Sequence, residues 1–371
     1  MRKRVLGALG IGLALATFTA CSSTSKAATT TTKAPDATTT KAPDATTTKA
    51  PGESTTSGAA MADGGKMAIL FDLKGRGDHS FNDSAAIGLD KAKTEFKYDV
   101  TEQVRGGNDI AEQLKNAVDN KNKLVIGVGF AWGDEMKKSA DANSGINFGI
   151  VDSVVDSPNV SSLVFKANEG SYLVGVAAAL KSKAKHVGFI GGVDIPLIQD
   201  FFAGYEAGVK SVDPSIKIEV KYLSPAGDFS GFGDPVKAKT AALAQYEAGA
   251  DVIFHAAGGS GDGLFGAAKE FSAKGSKVWA IGVDSDQASS VAADLAPFIL
   301  TSMIKHVDVA VYETMKDAAA GKFKGGVRVF DAKSGGVDYA TTGGYVDDIK
   351  DKLEAAKKGI ADGSIKVPSK S

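Results

Sequence analysis

From Met67 to Val283, short apolar runs alternate with longer amphipathic stretches, and this regularity limits the possible folds more than any other feature of the chain. Met67–Leu73 (MAILFDL) reads as a buried strand, and a helix begins after it at about Ser80. Ser80 followed by Asp83 predicts a capping box at that helix, with Asp in place of the usual Glu. Strands are expected at Val100–Val104, Leu124–Val128, Phe148–Val151 and Leu163–Phe165, with helices at Ile110–Val118, Asp134–Ala142 and Ser171–Lys181. The pattern then repeats. Strands at Val187–Ile190, Ile216–Tyr222, Val252–Phe254 and Val278–Val283 enclose helices at Leu197–Val209, Pro235–Ala248 and Gly263–Lys274. The last part adds a strand near Ile299–Met303 and helices at Val307–Ala320 and Val346–Ala361. Strands that are apolar on both faces and alternate with helices imply parallel sheets covered on both sides. Two such runs predict an α/β protein with two doubly wound lobes. A ligand is then expected beyond the carboxyl ends of the strands, in the cleft between the lobes.

The region before Met67 has a different character. A basic start, Met1 to Arg4, precedes an apolar run from Val5 to Ala16 and then Thr17-Phe18-Thr19-Ala20-Cys21. That run is shorter than the ~20 apolar residues a spanning helix needs, and it reads as a signal peptide over 1–20. Cys21 is the only cysteine in the chain, so it has no internal disulfide partner. The segment resembles a bacterial lipoprotein signal, in which the cysteine is diacylated and becomes the first mature residue. Phe18 stands where leucine is usual. Ordinary secretion with an unmodified thiol is the alternative. Residues 21–65 contain the repeat TTTKAPDA at Thr30–Ala37 and Thr38–Ala45, with no aromatic or large aliphatic residue between Cys21 and Met61. Such a segment cannot bury enough apolar surface to offset its own ordering. As a flexible coil, some 45 residues span roughly 35–40 Å, which suits a tether between a membrane and a folded domain.

Forty-three basic residues against 44 acidic ones leave no electrostatic footprint for nucleic acid. The four histidines are scattered, with no metal-ligand spacing, and neither a GK[ST] phosphate loop nor a GxSxG nucleophile turn occurs. Gly261-Asp262-Gly263-Leu264-Phe265-Gly266 matches GxGxxG by letter, but its glycines begin several residues past the strand, so a dinucleotide site is disfavoured. No enzyme activity and no cofactor are expected.

Polar and aromatic groups recur at the predicted strand ends: Asp72 with Gly75 to Asp78, Phe130 to Asp134, Asp152, Asp194, Ala256 to Gly263, and Asp284 to Asp286. Single aspartates there are commonly helix caps, and aromatics at helical spacing are commonly core. Their clustering at one edge favours a binding site. Trp132 is read as a pocket wall, with a lobe-surface position as the alternative, and Gly258 as part of the glycine-rich turn at the strand ends.

These residues resemble the basic membrane protein lipoproteins, of the purine nucleoside receptor type. The resemblance rests on Asp78-His79-Ser80-Phe81-Asn82-Asp83, Ile126 to Phe130, Asp194 to Ile198, Phe254 to Gly259, Ile281 to Asp284, and the ending Gly359–Pro368. It runs from about Met67 to Pro368. It implies a periplasmic binding protein fold of the first type, with three crossovers between lobes, serving as the substrate-binding protein of an ABC importer. The lobes are expected at 66–168 with 285–325, and at 169–284 with 326–371. Phe81 and Phe201 would sandwich a purine ring, Asn82 and Asp134 would address its polar edge with Asp72 nearby, Asp284 would accept ribose hydroxyls, and Lys305 would reach the sugar, with a solvated lysine at a helix start as the alternative for Lys305. His79 and Asp262 depart from the family's usual lysine and asparagine, which leaves the preferred base open. The expected partners are a nucleoside, an ABC permease, and the bilayer through acylated Cys21 on the extracytoplasmic face of the cell membrane, with the protein a monomer. A sugar or other small polar solute as ligand, and a surface interaction or sensor protein without transport, are the alternatives.

Overall fold

The structure is a computed structural model that describes residues 63–106 and 109–370. The expected signal peptide, the acylated Cys21 and nearly all of the tether lie outside the described residues. The folded chain builds two six-stranded sheets. The first half supplies β1 (Gly65–Phe71), α1 (Phe81–Phe96), β2 (Tyr98–Val104), α2 (Ile110–Asp119), β3 (Leu124–Gly127), α3 (Gly133–Ala142), β4 (Asn147–Val151) and β5 (Val160–Phe165). The second half supplies α4 (Ala167–Lys181), β6 (His186–Val193), α5 (Pro196–Val212), β7 (Lys217–Ser224), α6 (Pro235–Glu247), β8 (Val252–Ala256), α7 (Gly261–Ser272) and β9 (Trp279–Asp284). A short α8 (Gln287–Ser290), β10 (Ile299–Lys305), α9 (Val307–Ala319), β11 (Gly326–Phe330), β12 (Val337–Tyr339) and α10 (Lys350–Ala361) complete the fold.

Strand order is β11-β5-β4-β3-β1-β2 in one sheet and β12-β10-β9-β8-β6-β7 in the other. All pairings are parallel except β10 with β12. Central strands β3, β6 and β8 are buried along their length, and β1 from Met67 onward, as apolar two-faced runs require. The two lobes expected from the alternation are present.

The returns between lobes fall at other places than the sequence suggested. The chain leaves the first sheet between β5 and α4, as expected. It returns between β10 and α9 and leaves again between β11 and β12. Residues 285–305 therefore belong with the second sheet rather than the first, and β11 belongs with the first sheet rather than the second. The reason is hydrogen bonding: β10 pairs with β9, and α9 then packs its buried face on α1. β11 was not expected as a strand. Three of its five residues are exposed, so it lacks the apolar signature of a buried one. After α10 the ending turns back onto the second lobe, where the Asn168 amide donates to the carbonyls of Val367 (3.2 Å) and Pro368 (3.1 Å).

Candidate ligand-binding cleft

The carboxyl ends of both sheets face one cavity of about 610 Å³, part of it continuous with solvent. Its lining comes from both lobes: Asp72, Asp78, Phe81, Asn82, Phe130 and Asp152 from one, and Phe201, Phe232, Gly258, Asp284 and Lys305 from the other.

The loop between β1 and α1 forms one wall. Four of its residues, Lys74, Gly75, Gly77 and His79, have positive φ, so the chain turns sharply twice before the helix. Asp78 caps α1: its carboxylate accepts from the backbone N–H groups of Ser80 (2.9 Å), Asn82 (2.9 Å) and Asp83 (3.1 Å). Burial raises its pKa above the ordinary carboxylate value, and those three N–H groups oppose the rise. The expected capping box does not form, and the Ser80 N–H goes to Asp78 instead. Asp83 does reach back, to the N–H groups of Gly77 and His79, but Ser80 makes no cap. Its hydroxyl crosses the cleft and donates to Asp284 Oδ2 at 2.7 Å.

Asp284 ends β9 and Asp152 directly follows β4, similar places at the carboxyl ends of parallel strands. Both hold φ at 64°, a left-handed conformation rare for residues other than glycine and a strain that recurs at functional sites. Burial pushes the Asp284 carboxyl up to about 6, although the Lys305 charge and the Ser80 hydroxyl pull it down. Asp152 pairs across the lobes with Lys305 Nζ, and both side chains are buried. Lys305 ends β10, so the exposed helix-start position considered for it is overturned. Its ammonium lies 4.8 Å from the Phe81 ring centre, 5.1 Å from Phe165 and 5.8 Å from Phe201.

Phe81 opens α1 and is half-buried; Phe201 sits in α5 and is buried. Both belong to the packing of their own lobes and both face the cavity, so the core and pocket readings hold together. Asp72 also lines the cavity, with its charge met by Arg105 Nε at 2.7 Å. Gly258, at φ 52°, forms part of the floor.

Three of the expected contacts change. Trp132 is wholly buried among Leu70, Met136 and Phe148 in the core of the first lobe and does not line the cleft. Asp134 is exposed in the first turn of α3 and lines a separate cavity with Lys137 and Asp156. Asn82 borders the ligand cavity, but its amide is engaged: Oδ1 accepts from the Asp72 N–H, and Nδ2 donates to Leu73 O and Asp78 Oδ2. It holds the loop in place rather than offering free groups to a ligand. Asp78, Phe130, Asp152 and Phe232 were not chosen from the sequence. The first three stood in the strand-end clusters, but nothing local distinguished a lining residue from a cap.

Two of the three glycines of the GxGxxG match have a packing role. A Cβ at Gly261 would meet the His255 ring at 2.1 Å, and one at Gly263 would meet the Pro235 carbonyl at 1.9 Å. Among the described residues no group of histidine, cysteine and carboxylate side chains could hold a metal, and no helix is long and apolar enough to cross a membrane.

Two α/β lobes joined by crossovers, with buried polar groups and aromatic rings converging between them, define a hinged solute-binding protein of the periplasmic type I fold. Aeropyrum pernix K1 provides a solved structure of that kind, an ABC transporter system solute-binding protein, with TM-score 0.71 and 28% identity over 82% of this chain and 93% of that one. The profile of the Bmp family, described as ABC transporter substrate-binding protein PnrA-like, matches residues 66–371, and the chain belongs to that family. It is a substrate-binding protein of an ABC transporter. Among its relatives, the "ABC transporter nucleoside-binding protein BmpA" of Lactococcus lactis subsp. cremoris is 40% identical, over 82% of this chain and 89% of the relative. The "CD4+ T-cell-stimulating antigen" of Listeria monocytogenes is 38% identical, over 82% and 88%. "Basic membrane protein A" of Borreliella burgdorferi is 31% identical, over 79% and 84%.

Proposed function

We propose that this protein captures a nucleoside, with a purine base, between its lobes and presents it to an ABC permease. It would do so as a monomer held to the outer face of the cell membrane by a diacylated Cys21. The observation carrying the ligand class is that Phe81 and Phe201, on opposite lobes, border one cavity with Lys305 Nζ within 6 Å of both ring centres (4.8 and 5.8 Å). A base inserted between such rings gains about 1–3 kcal/mol from stacking. Asp284, held by Ser80 and facing the cavity, would accept vicinal ribose hydroxyls, while Lys305 would donate to the sugar. Asp72 is neutralised by Arg105 and would contribute a polar edge rather than net charge. The name of the Lactococcus relative supports the same ligand class, and its kinship with named lipoproteins supports the anchor. Titration calorimetry with adenosine, guanosine, inosine, cytidine and free ribose tests the reading. Tight binding of at least one purine nucleoside is expected; heat from ribose alone would move the ligand class to sugars and remove the stacking role of the two phenylalanines. For the anchor, mass analysis of membrane-extracted protein would find two acyl chains on Cys21, and a free thiol there would refute it.

A further inference from the structure

The crossovers join the sheets along one side, since β5, β10, β11 and β12 all stand at or next to that edge. The opposite edges are β2 and β7. Contacts between lobes beyond β2 and β7 are therefore farthest from the hinge, and any rotation about it displaces them most.

Three side chains meet there. Arg105 directly follows β2, is buried, and is fixed by its backbone N–H to Phe71 O at 3.0 Å and by its Nε to Asp72 at 2.7 Å. Phe229 opens the 3₁₀ turn Phe229–Phe232 after β7, in the other lobe. Its ring centre lies 5.5 Å from the Arg105 guanidinium carbon. Phe130, beyond β3 in the first lobe, meets Phe229 edge-on at 5.4 Å and 69°, and meets Phe232 at 6.5 Å. Phe130 and Phe232 line the ligand cavity, whereas Phe130 and Phe229 line the outer cavity that contains Asp134. The Phe130–Phe229 contact is thus the partition between the inner space and the outer one.

We propose that Phe229 is the latch of the closed cleft, seated between Phe130 and Arg105, and that Arg105 ties the latch to the ligand site through Asp72. A guanidinium can bond a carboxylate through its N–H edge while presenting its flat face to a ring, which an ammonium cannot do as well. Asp72 lines the ligand cavity, so the side chain that neutralises it on one lobe is the one that receives the other lobe's aromatic ring. Opening the cleft breaks both contacts of Phe229 at once. The latch therefore acts on ligand release more than on capture.

The nucleoside reading supplies only the probe, and the test separates the two ideas. In the full-length chain, Phe229→Leu keeps apolar bulk but loses the ring, and Arg105→Lys keeps the charge beside Asp72 but loses the planar face. Stopped-flow dissociation of adenosine is expected to be about three- to tenfold faster in each variant, the range expected from losing one aromatic or cation–π contact. Association should change less than about twofold. Hydrogen exchange in ligand-free protein reads the latch without any nucleoside: in Phe229→Leu, peptides covering 126–136 on the opposite lobe should exchange faster than in wild type. If adenosine fails to bind wild type, the nucleoside reading falls while the exchange measurement still decides the latch. Should Arg105→Lys prove unstable, Phe229→Leu decides alone, because Phe229 is partly exposed and its loss leaves no deep cavity. Wild-type dissociation and wild-type exchange at 126–136 in Phe229→Leu would overturn the proposal.

Discussion

Asp284 is a buried carboxylate that lines the cavity between the lobes. Burial pushes its pKa up to about 6, so between the ordinary carboxylate range near 4 and about 6 the folded protein binds a proton that the unfolded chain has released. Stability consequently falls as pH rises through that window, and above it the full penalty remains. Asp284→Asn removes the penalty and keeps an oxygen for the Ser80 hydroxyl. The variant should melt higher than wild type at pH 7, with the difference shrinking toward zero near pH 4, while nucleoside affinity drops. A melting difference that does not vary with pH would show that Asp284 carries no such strain. Phe81 allows a cleaner test of the aromatic slot than Phe201, because Phe201 is only 3% exposed and its truncation would open the core. Phe81→Leu should weaken a bound purine nucleoside by roughly tenfold, within the 1–3 kcal/mol that stacking on one ring provides, with thermal stability nearly unchanged. Calorimetry on the two proteins settles it.

Element by element, local sequence explains the existence of helices better than their details. Helix α1 was legible from its apolar spacing, yet its cap was assigned to Ser80, when Asp78 two residues earlier performs that role. A hydroxyl and a carboxylate two residues apart in a loop are equally good caps by sequence. The left-handed backbone at Gly77 and His79 decided between them, and it freed Ser80 to reach the other lobe. Helix α7 illustrates the same limit for a motif. If GxGxxG there served a phosphate, all three glycines would matter alike. Packing predicts otherwise: Gly263→Ala drives a methyl into the Pro235 carbonyl and should cost about 1–3 kcal/mol, whereas Gly266 has no atom within 4 Å of an added Cβ. Gly266→Ala should be neutral or stabilising by up to about 1 kcal/mol, since helical glycine is entropically costly. Urea unfolding of both variants checks the pair; equal losses would contradict the packing account.

For the whole molecule, the decisive feature is that β10, after α8, adds to the second sheet and α9 then returns to pack on α1 of the first lobe. Lys305 is the last residue of that strand and stands at the crossover, where it pairs with Asp152 of the other lobe. A ligand contacting both lobes biases the hinge by its differential contacts with the closed form. It also raises the melting point by mass action. At a free concentration of about 100 times Kd, a purine nucleoside adds about 2.7 kcal/mol, or about 4 °C in a protein of this size. A thermal scan with and without nucleoside measures this directly, and no shift with any purine nucleoside would exclude tight capture.

Periodicity alone determined most elements of this protein, the parallel character of its sheets and the edge on which its site lies. Those depend on apolar spacing and on the rule that strands covered by helices expose only their ends. Family motifs placed Asp72, Phe81, Phe201, Asp284 and Lys305 near one another, and the fold brings them to one cavity. Tertiary structure decided what depends on contacts far apart in the chain. Trp132 packs into the core of the first lobe, Asp134 lines a different cavity, and Asn82 is held by the loop it stabilises. The boundary between lobes followed β-pairing at β10 and β11, a long-range choice in which a half-exposed strand gives no periodic signal. The pairing of Lys305 with Asp152, 153 residues away, could be known only once both lobes were folded.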